Sequence, residues 1–261
     1  MFVAPDFDDI VAAALAEDLG VLPAVFSAGG RLAEDLLARD VTSFAVIDQG
    51  AAFSGAVVAR QQCVVAGLAV AAAVFERLSE AAGLLDPVEV FPLVKEGAQV
   101  APGTRVLEVE GSAIAVLAAE RTALDFLMTL SGIATRAAEW TAAAGPGLHV
   151  YDTRKTVPGL RALSKYAVRV GGARNHREGL FDMVLIKDNH LRRAGGITAA
   201  VTAARERSPH LEIEVEADTI EQAIEAIAAG ADIVMLDNMD DATLTRAVTA
   251  GDRKSTRLNS S

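Results

Sequence analysis

The sequence predicts an α/β protein in two parts: a sandwich-like N-terminal α+β domain over residues 1–115 and an incomplete β/α barrel over residues 116–250. Three observations carry this. From His149 onward continuous apolar strand cores (HVYD, MVLIK, LEIEVE and DIVML) alternate with helical segments, the pattern of a parallel sheet covered by helices. Before Ser112 the strands are short, Val-rich and broken by turn residues. Only four strand-helix units can be counted after His149, against roughly eight in a closed barrel.

Taken in order, Asp8 to Leu19 spaces its apolar residues along one helical side. Gly20 to Arg39 is Gly- and Pro-punctuated, then charged, and no role for it is legible. Ala51 to Leu68 alternates loosely and suggests strands; Ala69 to Ala82 reads as a helix stopped by Gly83. Val88–Val90 and Arg105–Val109 are short strands around Gly97, Pro102 and Gly103. Ser112 is placed to cap a long helix through Leu130, with Gly132 as its stop. Helices are then expected at about 160–170, 197–207, 219–229 and 242–250. Gly171-Gly172 lacks the spacing of a dinucleotide fingerprint and reads as a helix stop. Trp140 reads as core.

Composition sets limits. The chain has 261 residues, a formal charge of −11 and one cysteine, Cys63, which excludes an intramolecular disulfide and a Cys-rich zinc site. Cys63 lies in an apolar run and reads as a packed thiol. The acidity argues against duplex nucleic acid. The longest uncharged apolar run, Cys63 to Phe75, is too short for a bilayer, and the acidic start lacks the charge of a signal peptide. A cytoplasmic protein without membrane or nucleic-acid partners is expected.

Against that acidity, residues 151–193 hold ten of the 24 Lys and Arg. Arg161, Lys165 and Arg169 are four apart and read as a solvated helix face. Arg154-Lys155, His176-Arg177 and Lys187 do not fit that reading, because each stands beside a turn or ends an apolar run. The predicted strands end in polar residues: Asp152 to Lys155, Lys187, Glu216 and Asp237. In a β/α barrel such ends form one rim, where active sites lie. His190 reads as a loop hydrogen-bonding residue.

The segments DTRKTVPGLRALSKYAVRVGG, NHREGL and LIKDNH closely resemble quinolinate phosphoribosyltransferases. ERTALDFLMTLSGIAT, EVEADTIEQA and GADIVMLDNM extend the resemblance over most of residues 8–250. The resemblance implies a type II phosphoribosyltransferase-like fold. It also implies transfer of a phosphoribosyl group from phosphoribosyl pyrophosphate to quinolinate with decarboxylation, giving nicotinate mononucleotide for NAD biosynthesis, with Mg2+ as cofactor. It assigns quinolinate carboxylates to Arg154 and Arg177, and to Arg121 from a neighbouring subunit, so a homodimer or higher oligomer with shared sites is expected. Lys155, His176 and Lys187 are assigned to the same basic pocket, with the division of labour among them open, and Thr153 is expected to bind substrate. Lys155, Lys187, Glu216 and Asp237 are the expected catalytic set. Glu216 and Asp237 would meet ribose hydroxyls or hold magnesium through water. Two other readings are a relative of molybdenum-transport type and a non-catalytic β/α module that binds anions.

After Thr249 the resemblance stops. Residues 251–261 have no apolar periodicity and read as a tail foreign to the family. The expectation is a chain truncated before the loops that hold the donor's 5-phosphate, one that retains most of the quinolinate pocket and lacks the donor phosphate site.

Overall fold

The computed structural model describes residues 2–26, 35–252 and 257–260. Residues 27–34 of the Gly20–Arg39 segment lie outside the described residues. The flanking Phe26 and Leu36 are both buried in the first core.

The backbone divides into two compact units, Met1–His176 and Arg177–Ser261. The first begins with α1 (Asp8–Leu19), as expected, closed by Gly20 at φ 63°. The RDVTS run opens α2 (Val41–Val46), where the Asp40 carboxylate accepts from the Ser43 N–H at 3.0 Å. Then follow β1 (Ala52–Val58), β2 (Cys63–Val64), α3 (Leu68–Ala81), β3 (Glu89–Pro92), β4 (Gln99–Val100) and β5 (Arg105–Ser112). They form an antiparallel sheet of order β1-β5-β3 and a β2-β4 pair.

Next comes α4 (Ala113–Ala144), 32 residues long. Two expectations fail here. Ser112 makes no side-chain cap, and Gly132 does not stop the helix. A mid-helix glycine costs only about 1 kcal/mol, and burial on both sides of it outweighs that: Leu127, Leu130 and Ser131 before, Ala134 and Ala137 after. Ser131 and Thr135 also bind the chain beside them, accepting from the N–H groups of Ala66 at 3.0 Å and Val64 at 2.8 Å. Trp140, expected in the core, is exposed and lies under the Arg136 guanidinium at 5.3 Å.

Helix α5 (Arg161–Val170) packs on α4 through Leu163, Tyr166, Ala167 and Val170. Its close approach explains Gly171: a Cβ there would lie 2.2 Å from the Ala134 carbonyl oxygen, although φ is an ordinary −74°. Gly172, at φ 88°, makes the turn. The division expected at residue 115 coincides with the β5–α4 junction, whereas packing divides the backbone after His176, because α4 is anchored on α3 and α5.

The second unit contains β6 (Val184–Ile186), α6 (Asp188–Ala194), α7 (Ile197–Arg207), β7 (Ile213–Ala217), α8 (Ile220–Ala229), β8 (Ile233–Leu236), α9 (Asp241–Asp252) and β9 (Arg257–Ser260). Its sheet is parallel throughout, in the order β6-β7-β8-β9. Ile186, Val215, Ala217, Val234 and Leu236 pack with Val201, Ala223 and Ala226 of the helices. The molecule is thus the expected α/β protein, an α+β part followed by parallel β/α units. Two local readings need correction. HVYD forms no strand, only a parallel bridge between Tyr151 and Arg174. The closing residues, expected to take no part, supply β9 beside β8; a sheet edge recruits backbone N–H and C=O groups whatever the side-chain pattern. No helix among the described residues is long and apolar enough to cross a membrane.

Candidate active site

In the first unit the site segment runs from Tyr151 to Lys155, and side chains rather than a ladder fix it. Backbone pairing is limited to Asp152 N–H to Arg174 O at 3.0 Å and Arg174 N–H to Val150 O at 2.8 Å. The Asp152 carboxylate adds three hydrogen bonds: from the His176 N–H at 2.8 Å, from Asn175 Nδ2 at 2.6 Å and from Lys165 Nζ at 2.6 Å. Lys165 Nζ also donates to the His176 carbonyl at 2.9 Å. Lys165 is 1% exposed, so the reading of Arg161, Lys165 and Arg169 as one solvated face is wrong for its middle member. It points away from the Leu163–Tyr166–Val170 stripe, and the Asp152 and Asn175–His176 segments cover it. Arg169 does remain exposed, donating to Asn175 Oδ1 at 2.7 Å. Beside Lys165, burial pushes the Tyr166 hydroxyl well above the usual phenol range, and Glu96 adds to that.

Beyond Asp152 the chain turns outward. Thr153 Oγ1 accepts from the Lys155 N–H at 3.1 Å, which leaves the Lys155 side chain exposed. Arg154 is half-buried, and its Nε is enclosed without a hydrogen-bond partner. An orphaned donor of this kind is costly, and a ligand carboxylate is the type of group that satisfies a guanidinium. Arg121 lies on the solvent side of α4, 3.7 Å from Asp125, at the edge of a cavity of about 250 Å³ also lined by Asp18, Thr122 and Phe126.

In the second unit register assembles the site. Opposite one another in the parallel ladder are Leu185 and Glu214, Glu214 and Ile233, and Glu216 and Met235. Because side chains alternate along a strand, Lys187, Glu214, Glu216 and Asp237 share the face opposite the helices. Lys187, Glu216 and Asp237 stand at or beside the C-terminal ends of β6, β7 and β8, and the Asp237 N–H donates to Ala217 O at 3.1 Å. Lys187 Nζ reaches Glu216 Oε2 at 2.9 Å. Glu214 is fully buried, one of the few charged residues that are; the sequence reading passed over it, although an acid two residues before Glu216 on a strand must share its face. His190 is not in a loop. It sits in the first turn of α6, where its Nδ1 accepts from the Lys187 N–H at 2.9 Å and so fixes the backbone beneath Lys187. In the segment holding Arg177, Asp182 accepts from the N–H groups of Glu178 at 2.7 Å and Gly179 at 2.9 Å. Among the described residues no three His, Cys, Asp or Glu side chains gather as a metal cage.

Comparison with known proteins fits this geometry. The model of the quinolinate phosphoribosyl transferase N-terminal domain matches residues 40–131, and that of the C-terminal domain matches residues 133–261. The chain is 43% identical to the nicotinate-nucleotide pyrophosphorylase [carboxylating] of Mycobacterium leprae, covering 79% of this chain and 72% of that one. It is 46% identical to the probable enzyme of that name in Synechocystis, where the match spans 63% of the relative's length. Among solved structures, the nicotinate-nucleotide pyrophosphorylase of Francisella tularensis superposes with a TM-score of 0.84 at 34% identity, over 100% of this chain and 85% of that chain. NadC of Streptococcus pyogenes gives 0.83 at 35% identity, over 98% and 82%. The chain belongs to the quinolinate phosphoribosyl transferase family.

Proposed function

We propose that the protein transfers the phosphoribosyl group of phosphoribosyl pyrophosphate to the ring nitrogen of quinolinate. The product loses the 2-carboxylate as CO2 to give nicotinate mononucleotide, and pyrophosphate leaves. The observation that carries this is the Lys187–Glu216 pair beside Asp237, three charged side chains on one sheet face at neighbouring strand ends. Displacement at the anomeric carbon builds positive charge on the ribose and negative charge on the departing pyrophosphate. Fixed carboxylates at Glu216 and Asp237 answer the first; Lys187 and Lys155 answer the second, as charges in place before the reaction. By the family resemblance, Arg154 and Arg177 each take a flat carboxylate of quinolinate through paired N–H donors, and Thr153 and His176 are substrate-binding residues. Once the ring nitrogen is alkylated, the bond from C2 to its carboxylate breaks and CO2 leaves. The electron pair stays on C2, stabilised by the adjacent positive nitrogen, and C2 takes a proton from water, so the chain need supply no covalent nucleophile.

Magnesium fits the donor set in its usual manner, with one or two carboxylates, water and substrate phosphates completing the shell. Glu216 and Asp237 would hold it, and when bound it supplies charge to the leaving pyrophosphate. Location in the cytoplasm is part of this proposal. Incubation with quinolinate, phosphoribosyl pyrophosphate and Mg2+ should release nicotinate mononucleotide and CO2 in equal amounts; binding of quinolinate without product would favour an anion-binding module instead.

The site is proposed to be shared within a homodimer, because Arg121 stands exposed on α4 and matches the residue that the family donates across its interface. Arg121→Ala and Arg177→Ala proteins should each be nearly inactive, and their mixture should regain up to about a quarter of wild-type activity after random subunit exchange. A mixture that never exceeds its parents, with exchange verified, would sink the shared site.

A further inference from the structure

The buried pair of Lys165 and Asp152 lies outside the roles assigned above. A lysine that is 1% exposed is not placed there for solubility. Its ammonium is 2.6 Å from Asp152 Oδ1 and 2.9 Å from the His176 carbonyl, so its charge is spent inside the protein and is not offered to an anion. The pair's geometry has a direction. Asp152 accepts from the His176 N–H, and Lys165 donates to the His176 C=O. The one residue is thereby gripped on both its amide proton and its carbonyl. Asn175 closes the ring, donating from Nδ2 to Asp152 Oδ2 and to the Lys165 carbonyl at 2.9 Å. This ring lies where regular pairing has dwindled to the Tyr151–Arg174 bridge. A side-chain network therefore does here what a backbone ladder does between regular strands.

We propose that Lys165 and Asp152 are positioning residues that hold the Thr153–Lys155 and His176 segments in the geometry that binds quinolinate. The inference rests on the reading of the site as a quinolinate pocket. Its physical content is that Thr153, Arg154 and Lys155 follow Asp152 directly in the chain, while His176 precedes Arg177. Fixing Asp152 against His176 sets where both basic groups begin. A misplacement of about 1 Å in such a constellation can cost on the order of 10²-fold in function, so the ring should matter to binding beyond its worth to stability.

Separating the two requires a variant that folds without the ring. Replacing a buried ion pair by apolar residues of similar size is often neutral for stability, whereas removing one partner strands a charge. The double substitution Asp152→Leu with Lys165→Met is therefore the primary test, made in the full chain and read by thermal melting and by calorimetric titration with quinolinate. The expected result is a melting temperature close to that of the wild type with quinolinate binding weakened about tenfold or more. Wild-type affinity in that variant would overturn the proposal and reduce the ring to a stability element. Should the double variant fail to fold, Lys165→Arg decides, since it keeps the charge and changes the reach: a folded protein with unchanged affinity overturns the proposal, and a weakened one supports it. A wild-type protein that does not bind quinolinate removes the parent reading, and this inference with it; wild-type binding with unaffected variants removes only this inference.

Discussion

Arg154→Leu should melt at a temperature a few degrees above the wild type and lose about 10²-fold or more in kcat/KM for quinolinate. The two effects have one cause. Arg154 Nε is buried without a hydrogen-bond partner, and such a donor costs about 1–3 kcal/mol when left unsatisfied. Leucine removes the donor and keeps apolar bulk, so the empty protein gains. A quinolinate carboxylate is the partner that the donor lacks, so the bound state loses. Proteins commonly hold binding groups at some expense in stability. The paired measurement is a melting curve with and without quinolinate, beside steady-state rates. Quinolinate should raise the wild-type midpoint by mass action and move that of the variant far less. A lower midpoint for the empty variant would show instead that Arg154 supports the fold.

Nicotinate offered in place of quinolinate should be used about 10⁴-fold less efficiently, judged by kcat/KM. A site whose cations are arranged for two carboxylates is left with unpaired charge when one is missing, and discrimination against an analogue lacking a hydrogen-bonding group reaches that order. The effect should fall on kcat as well as KM, since the charge left uncompensated persists to the transition state. Comparable turnover of the two acids would mean that the arginines steer anions without reading the 2-carboxylate.

The second unit was the more legible in sequence, and the reason is periodicity. The β6 and β8 cores are continuous apolar runs, β7 alternates Ile213, Val215 and Ala217 with Glu214 and Glu216, and register then puts Lys187, Glu216 and Asp237 on one face. The first unit hid more. HVYD has the composition of a strand, yet Asp152 spends its side chain on the amide of His176 and on Lys165, and no regular ladder forms. Lys165 was misread because helical spacing shows which residues share a side without showing what covers that side. The acid thirteen residues earlier was the available signal, and it becomes one only when the fold brings it within 2.6 Å. Gly132 was misread for a similar reason: local preference for a stop is worth less than the tertiary burial around it.

The length of α4 has a mechanical meaning. At 1.5 Å per residue, Arg121 lies about 20 Å along the rod from Ala134, and Ala134 is where the backbone of Gly171 presses closest. The rod is then a lever with its fulcrum at that contact. Any side chain added at residue 171 pushes on the fulcrum, and a tilt of about 5° swings Arg121 by more than about 1 Å, the scale on which catalytic geometry is lost. A methyl group placed in what resembles inert packing would thus act at a distance, on whichever site the tip of the lever serves.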